Sequence, residues 1–286
     1  MFLDKDEHII VMEDTPNFIF NLDDLHKIEN AGIKTVLLPR ALYIDRPIDD
    51  TGINFVLNNS NLKVLMLFFY SNSHQRDLTY YIKRSDEIDK YLKETLKHFE
   101  PIRDRVQLVF AIPEGGEFLW DCMLTEKFPV SDQEVAKFFI GRLKIMKEWH
   151  EEIWITIHNF MGHHNGWNNV HLPYLYSVLA EEFDGVPIYS LQFIHYSCGG
   201  TPTTKEQQMK VKQYKDEYGI KFFVGSNHCE GIIKNFSTLF EQEFYGFLTA
   251  PMHSENPNQQ DHMKEWMVTT LRGANGSIND YYSLQS

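Results

Sequence analysis

One pattern restricts this chain more than any other. Short apolar runs rich in Val, Ile and Phe recur along it, and each is followed by a longer stretch with apolar residues three and four apart. That is the mark of repeated βα units. The spacing predicts strands at 8–13, 33–39, 62–70, 106–113, 152–159, 187–196, 220–228 and 245–253. It predicts helices after the first six, at 21–32, 53–58, 85–102, 131–148, 172–183 and 204–218, and two more at 239–244 and 261–272. Asn21 and Ser131 stand where helix N-caps belong, and Glu134 lies three residues after Ser131 as in a capping box. Gly32 stands where the first helix should stop. Eight strands in strict alternation with eight helices favour a closed ring over an open doubly wound sheet, which usually carries a glycine-rich phosphate turn after its first strand. No G-x-G-x-x-G and no P-loop is found. The fold expected is therefore α/β, a single (β/α)8 TIM barrel over residues 1–286 as one domain.

Composition enters as a filter on function. Apolar residues make up 43% and charged residues 23% of the chain, which suits a globular protein with a sizeable core. A formal charge of −13 with no basic cluster argues against nucleic acid as a partner, because that affinity comes from grouped Lys and Arg. Cys122, Cys198 and Cys229 are too few for a disulfide framework and suit a reducing compartment. Asp4, Asp6 and Glu7 stand where a signal peptide would need basic residues, and no stretch has the length and apolarity of a membrane span. A cytoplasmic protein with no membrane partner is the expectation.

In a barrel of this type the site forms at the carboxyl ends of the strands. The residues there are Glu13 and Asp14; Arg40; Tyr70, Ser71 and Asn72; Glu114 and Glu117; His158 and Asn159; His195 and Tyr196; Asn227, His228 and Glu230; and His253. Random surface loops favour Lys, Glu and Ser, whereas this set is weighted toward His, Asn, Tyr and isolated carboxylates. Two carboxylates on opposite sides of a sugar can cleave a glycosidic bond: one protonates the leaving oxygen while the other attacks the anomeric carbon or activates water. Strands four and seven are three steps apart in a ring of eight, so their ends can face each other across the mouth. Trp120 and Trp167, in loops, offer apolar faces to a pyranose ring, while Trp154 lies within a strand and suits the core.

On these residues the chain resembles the superfamily of (β/α)8 glycoside hydrolases that carry an acid/base Glu after strand four and a second Glu after strand seven. The segment IPEGGEFLW, residues 112–120, is similar to the P-x-G-E turn that bears the acid in some of these families, beta-amylases among them. The resemblance implies Glu117 as the acid, with Glu114 as the alternative, and Glu230 as nucleophile or base. The Asn-Glu pair of many members is absent, since Glu114 follows Pro113. Phe118, Leu119 and Trp120 would raise the pKa of Glu117 by desolvation, and donors near Glu230 would hold it charged. Glu13, Arg40, Tyr70, Trp120, His158, Asn159, Trp167, His195, Tyr196, Asn227, His228 and His253 are then expected to bind a carbohydrate substrate, with no metal and no cofactor.

Plainer roles exist for the same residues. Glu114 and Glu117 flank Gly115 and Gly116 and suit a solvated turn; Glu230 suits the first turn of a helix; any one histidine suits a hydrogen-bonded core position. Two rival functions use the same strand ends. In one, His158, His163, His164, His195, His228 and His253 with Glu13 and Glu230 ligate zinc or manganese in a hydrolase or isomerase. No His-x-His follows strand one in support of it. In the other, the barrel binds a glycan without cleaving it.

Overall fold

The computed structural model describes residues 8–11, 21–30, 32–42, 47–68, 81–112, 131–157, 171–193, 205–227 and 246–250. Eight strands lie within them: β1 (His8–Val11), β2 (Thr35–Leu42), β3 (Lys63–Phe68), β4 (Val106–Ile112), β5 (Ile153–Ile157), β6 (Ile188–Phe193), β7 (Lys221–Asn227) and β8 (Gly246–Ala250). Each pairs in parallel with the next, and β1 pairs with β8 through Ile9 and Leu248, so the sheet closes. Six helices lie among the described residues, one in each connection from β1 to β7. They are α1 (Leu22–Asn30), α2 (Thr51–Asn59), α3 (Ser85–Phe99), α4 (Asp132–Lys147), α5 (His171–Glu182) and α6 (Lys205–Tyr218). The helices expected at 239–244 and 261–272 lie outside the described residues.

Strand periodicity splits the buried side chains into two layers. Val64, Met66 and Phe68 of β3 pack under the helices, as do Leu108 and Phe110 of β4 and Ile153 and Ile155 of β5. The residues between them, Leu65, Leu67, Val109 and Trp154, join Ile9, Leu37, Ala111, Tyr189, Leu191 and Phe223 in a separate cluster that fills the barrel. Both faces of the strands are thus apolar, which is why they read as continuous apolar runs.

Local chemistry sets the element ends. Asn21 accepts from the backbone N–H of Asp24 at 3.0 Å, and the Asp24 carboxylate accepts from that of Asn21 at 2.9 Å, a reciprocal cap that starts α1. Gly32 follows α1 at φ 80°, a conformation that suits glycine. At α4 the Ser131 hydroxyl accepts from the Glu134 N–H, and the Glu134 carboxylate accepts from the Ser131 N–H at 2.8 Å. The bond from the Ser131 N–H foremost, and then one that the Ser131 hydroxyl donates to the same carboxylate at 2.9 Å, hold the exposed Glu134 carboxyl below its usual range. Arg142 of α4, almost wholly buried, donates to both carboxylate oxygens of Asp89 at 2.8 and 2.9 Å and to the Ser85 carbonyl, joining α4 to α3. Arg105 donates to the carbonyls of Leu57, Ser60 and Leu62, closing the carboxyl end of α2.

Two sequence expectations need correction. The helix expected over 85–102 ends at Phe99 and gives way to a 3-10 turn, Glu100–Ile102. Pro101 has no N–H to continue an α-helix. The strand expected to stop at residue 39 runs to Leu42, so Arg40 lies within β2 rather than after it. The pairing absorbs Pro39 by a bulge: Leu38 opposes Met66 but Leu42 opposes Phe68, four residues of β2 against two of β3.

Candidate active site

Because all eight strands are parallel and the ring is closed, their carboxyl ends, Val11, Leu42, Phe68, Ile112, Ile157, Phe193, Asn227 and Ala250, form one rim. Its support is an aromatic block inside β5, β6 and β7. Trp154 and Tyr189 are opposite in register and stack with centroids 4.4 Å apart and planes 13° from parallel. Phe223 of β7 lies 5.4 Å from Trp154 and 6.2 Å from Tyr189. All three rings are fully buried.

Polar groups anchor this block on the amino-terminal side. The Trp154 indole N–H donates to the buried Glu152 carboxylate at 3.2 Å, and the Lys221 ammonium sits 5.0 Å from the Tyr189 ring centroid, an arrangement that favours a cation. His150, nearby in sequence, donates from Nε2 to the Val106 carbonyl at 3.0 Å, and burial pushes its pKa down. One step nearer the rim, the buried Thr156 hydroxyl donates to the Leu191 carbonyl across the β5–β6 pair at 2.8 Å.

The side chains expected to do the chemistry are not among those described. Glu13, Tyr70, Glu114, Glu117, Trp120, His158, Asn159, Trp167, His195, Tyr196, His228, Glu230 and His253 lie outside the described residues. Arg40 and Asn227 are described as backbone of β2 and β7, without their side chains. Among the described residues no group of three or more His, Cys, Asp or Glu is placed to hold a metal ion. His158, His163, His164, His195, His228 and His253, on which the metal reading depends, are not among them. Nor, among the described residues, is any helix long and apolar enough to cross a membrane. Trp154, set aside in the sequence as core, is core: it is fully buried and presents no face to a sugar.

Sequence reading passed over the polar interior residues Thr156, Glu152 and Lys221. A signal was available. Counted by twos from Phe223, Lys221 shares its face, and Glu152 and Thr156 share the face of Trp154.

No model of a known protein family matches the sequence, and no curated protein does. Solved structures match the fold. A morphinone reductase variant in complex with tetrahydroNAD superposes with a TM-score of 0.55 at 9% identity, covering 91% of this chain and 86% of that one. A GH18 chitinase from Pseudoalteromonas aurantia gives 0.54 at 10% identity, covering 92% and 98%. A 3-keto-D-glucoside 4-epimerase from E. coli gives 0.53 at 12% identity, covering 91% and 98%. Likeness at such identities establishes an α/β barrel-type fold and nothing of the chemistry, which differs among these three enzymes.

Proposed function

We propose that the chain is a glycoside hydrolase, a single (β/α)8 catalytic domain, with Glu117 as acid/base and Glu230 as nucleophile or base. The observation that carries this reading is the closed parallel ring. It sets the carboxyl ends of β4 and β7 on one rim, three steps apart out of eight, and Glu114, Glu117 and Glu230 follow those ends in the chain. A pair of carboxylates across the mouth of a barrel is the arrangement that glycoside cleavage needs.

The role of the acid falls to Glu117, with Glu114 as the alternative, because the Phe118-Leu119-Trp120 run beside Glu117 supplies apolar neighbours that keep a carboxyl protonated. The partner after β7 stays ionised. In the sequence Glu13, His158, His195 and Asn227 follow by twos the residues Ile9, Thr156, Leu191 and Phe223. Their polar side chains suit the hydroxyl groups of a sugar, and with the remaining substrate-binding set named from the sequence they make up the proposed binding residues. A carbohydrate is the proposed partner and the cytoplasm the proposed location, without nucleic acid or membrane. The presence of a chitinase among the similar structures agrees with this reading without deciding it.

The test is turnover of a panel of 4-methylumbelliferyl glycosides and oligosaccharides by the full chain and by Glu114→Gln, Glu117→Gln and Glu230→Gln. At least one substrate should be cleaved, with Glu117→Gln and Glu230→Gln each reducing kcat by roughly 10²-fold or more while the circular dichroism spectrum is unchanged. Loss in Glu114→Gln with normal turnover in Glu117→Gln would move the acid to Glu114. Full activity in all three variants, or no cleavage of any glycoside, would overturn the proposal.

A further inference from the structure

Strand β4 meets its two neighbours unequally. Its pairing with β3 begins at Val106, opposite Val64, whereas its pairing with β5 begins at Phe110, opposite Ile155. The first residues of β4, Val106–Val109, therefore precede the β5 ladder. Main-chain groups alternate sides along a strand. The Val64 N–H donates to the Arg105 carbonyl, so Arg105, Gln107 and Val109 face β3, while Val106 and Leu108 face β5. Val106 and Leu108 are fully buried, and their carbonyls need donors. Side chains supply them. The His150 imidazole donates from Nε2 to the Val106 carbonyl at 3.0 Å, and the Gln107 amide donates from Nε2 to the Leu108 carbonyl at 2.9 Å. The amino-terminal end of the β4–β5 seam is thus closed by two side chains in place of strand pairing.

Gln107 does not titrate, but His150 does. A carbonyl only accepts, so Nε2 carries the proton of the neutral ring and Nδ1 is where acid adds a second. The imidazole packs edge-to-face on the Trp149 indole with centroids 4.8 Å apart, and that indole donates its N–H to the Glu100 carboxylate at 2.7 Å. Burial is the largest influence on the ring and disfavours its charged form. Against burial stand the bond to Val106 and the carboxylates of Glu152 and Asp104, while the Arg103 guanidinium adds to it.

We propose that His150 is a pH-operated latch on the amino-terminal end of the β4–β5 seam. Neutral, it seals the seam through its bond to Val106; protonated, it turns out to solvent, and water reaches the main chain of Val106 and Leu108. The latch lies at the end of the barrel opposite the carboxyl-terminal rim and stands whether or not the glycoside hydrolase reading does.

The test follows backbone amide hydrogen exchange in the full chain by NMR at about pH 8 and about pH 5, corrected for the intrinsic pH dependence of exchange. Protection of the Val106 and Leu108 amides should fall about tenfold or more in acid, while Gln107 and Val109, which face β3 in the same strand, keep theirs. His150→Gln retains a donor that does not titrate and should keep all four amides protected at both pH values. His150→Ala removes the donor and should leave Val106 and Leu108 poorly protected at both. A fall of equal size at all four amides, no fall at any, or a fall that persists in His150→Gln would each overturn the proposal. Should His150→Ala fail to fold, the comparison of the wild type with His150→Gln decides alone.

Discussion

Removing the Asp89 carboxylate should destabilise the protein far more than removing a surface charge, and the structure sets the size of the difference. The Arg142 side chain is 7% exposed and that of Asp89 is 28% exposed, and their contact is bidentate at 2.8 and 2.9 Å. Breaking a buried pair by deleting one partner costs about 3–5 kcal/mol, because an uncompensated charge stays behind. Two features reduce that figure here. Water reaches the Asp89 side, and the guanidinium keeps the carbonyls of Phe138 and Ser85 as acceptors. We expect Asp89→Ala to cost about 2–3 kcal/mol, which for a chain of this length lowers the melting temperature by roughly 3–6 °C. The control is Glu94→Ala, since the Lys90–Glu94 pair spans 4.0 Å with side chains 79% and 59% exposed. That change should stay within about 0.5 kcal/mol. The assay is urea unfolding followed by tryptophan fluorescence and far-ultraviolet circular dichroism, analysed where the two transitions coincide. Adding Arg142→Met to Asp89→Ala should recover part of the loss, because the stranded charge goes with it. An Asp89→Ala cost no larger than that of Glu94→Ala, or a double substitution that simply adds, would refute the view that this pair is desolvated.

Other outcomes follow from single contacts. Ser131→Ala removes the hydroxyl that caps α4 and should cost about 1 kcal/mol in the same unfolding assay, while Ser131→Asp should restore most of it. His150 bears on pH dependence. Burial lowers its folded pKa below the unfolded value, so the unfolded chain binds the extra proton first. Its contribution to stability is therefore complete above the unfolded value near 6.5 and is lost as pH falls from there toward the depressed folded value. His150→Gln should flatten the unfolding free energy over that acidic window, and an unchanged slope would exclude His150 as its source.

Much of the fold was legible because its determinants are local and periodic. The runs ending at Phe68, Ile112 and Asn227 are apolar on both faces because one face meets helices and the other fills the barrel. Asn21, Gly32 and Ser131 announce helix ends by chemistry that needs only near neighbours in the chain. Pro39 was misjudged for the same reason. Locally a proline argues for the end of a strand, and only pairing with β3 shows the bulge that lets β2 continue to Leu42. Pro101, by contrast, acted as its local chemistry dictates, although the helical spacing up to Ile102 had concealed it.

The candidate site divides along the same line. The sequence by itself named the strand-end residues, because a strand followed by His, Asn or Glu is a short-range pattern; it also made the charge balance and the lack of a phosphate turn plain. What only the tertiary structure decided is which residues stand beside one another: Trp154 on Tyr189, Lys221 over that ring, Thr156 against Leu191, Arg142 clamped on Asp89 53 residues away. Closure of the sheet decided that β1 meets β8 and that β4 and β7 share a rim. Periodicity reports which face of an element is apolar. It carries no information on the partner that face meets, because partners are chosen by the packing of whole layers rather than by neighbours in the chain.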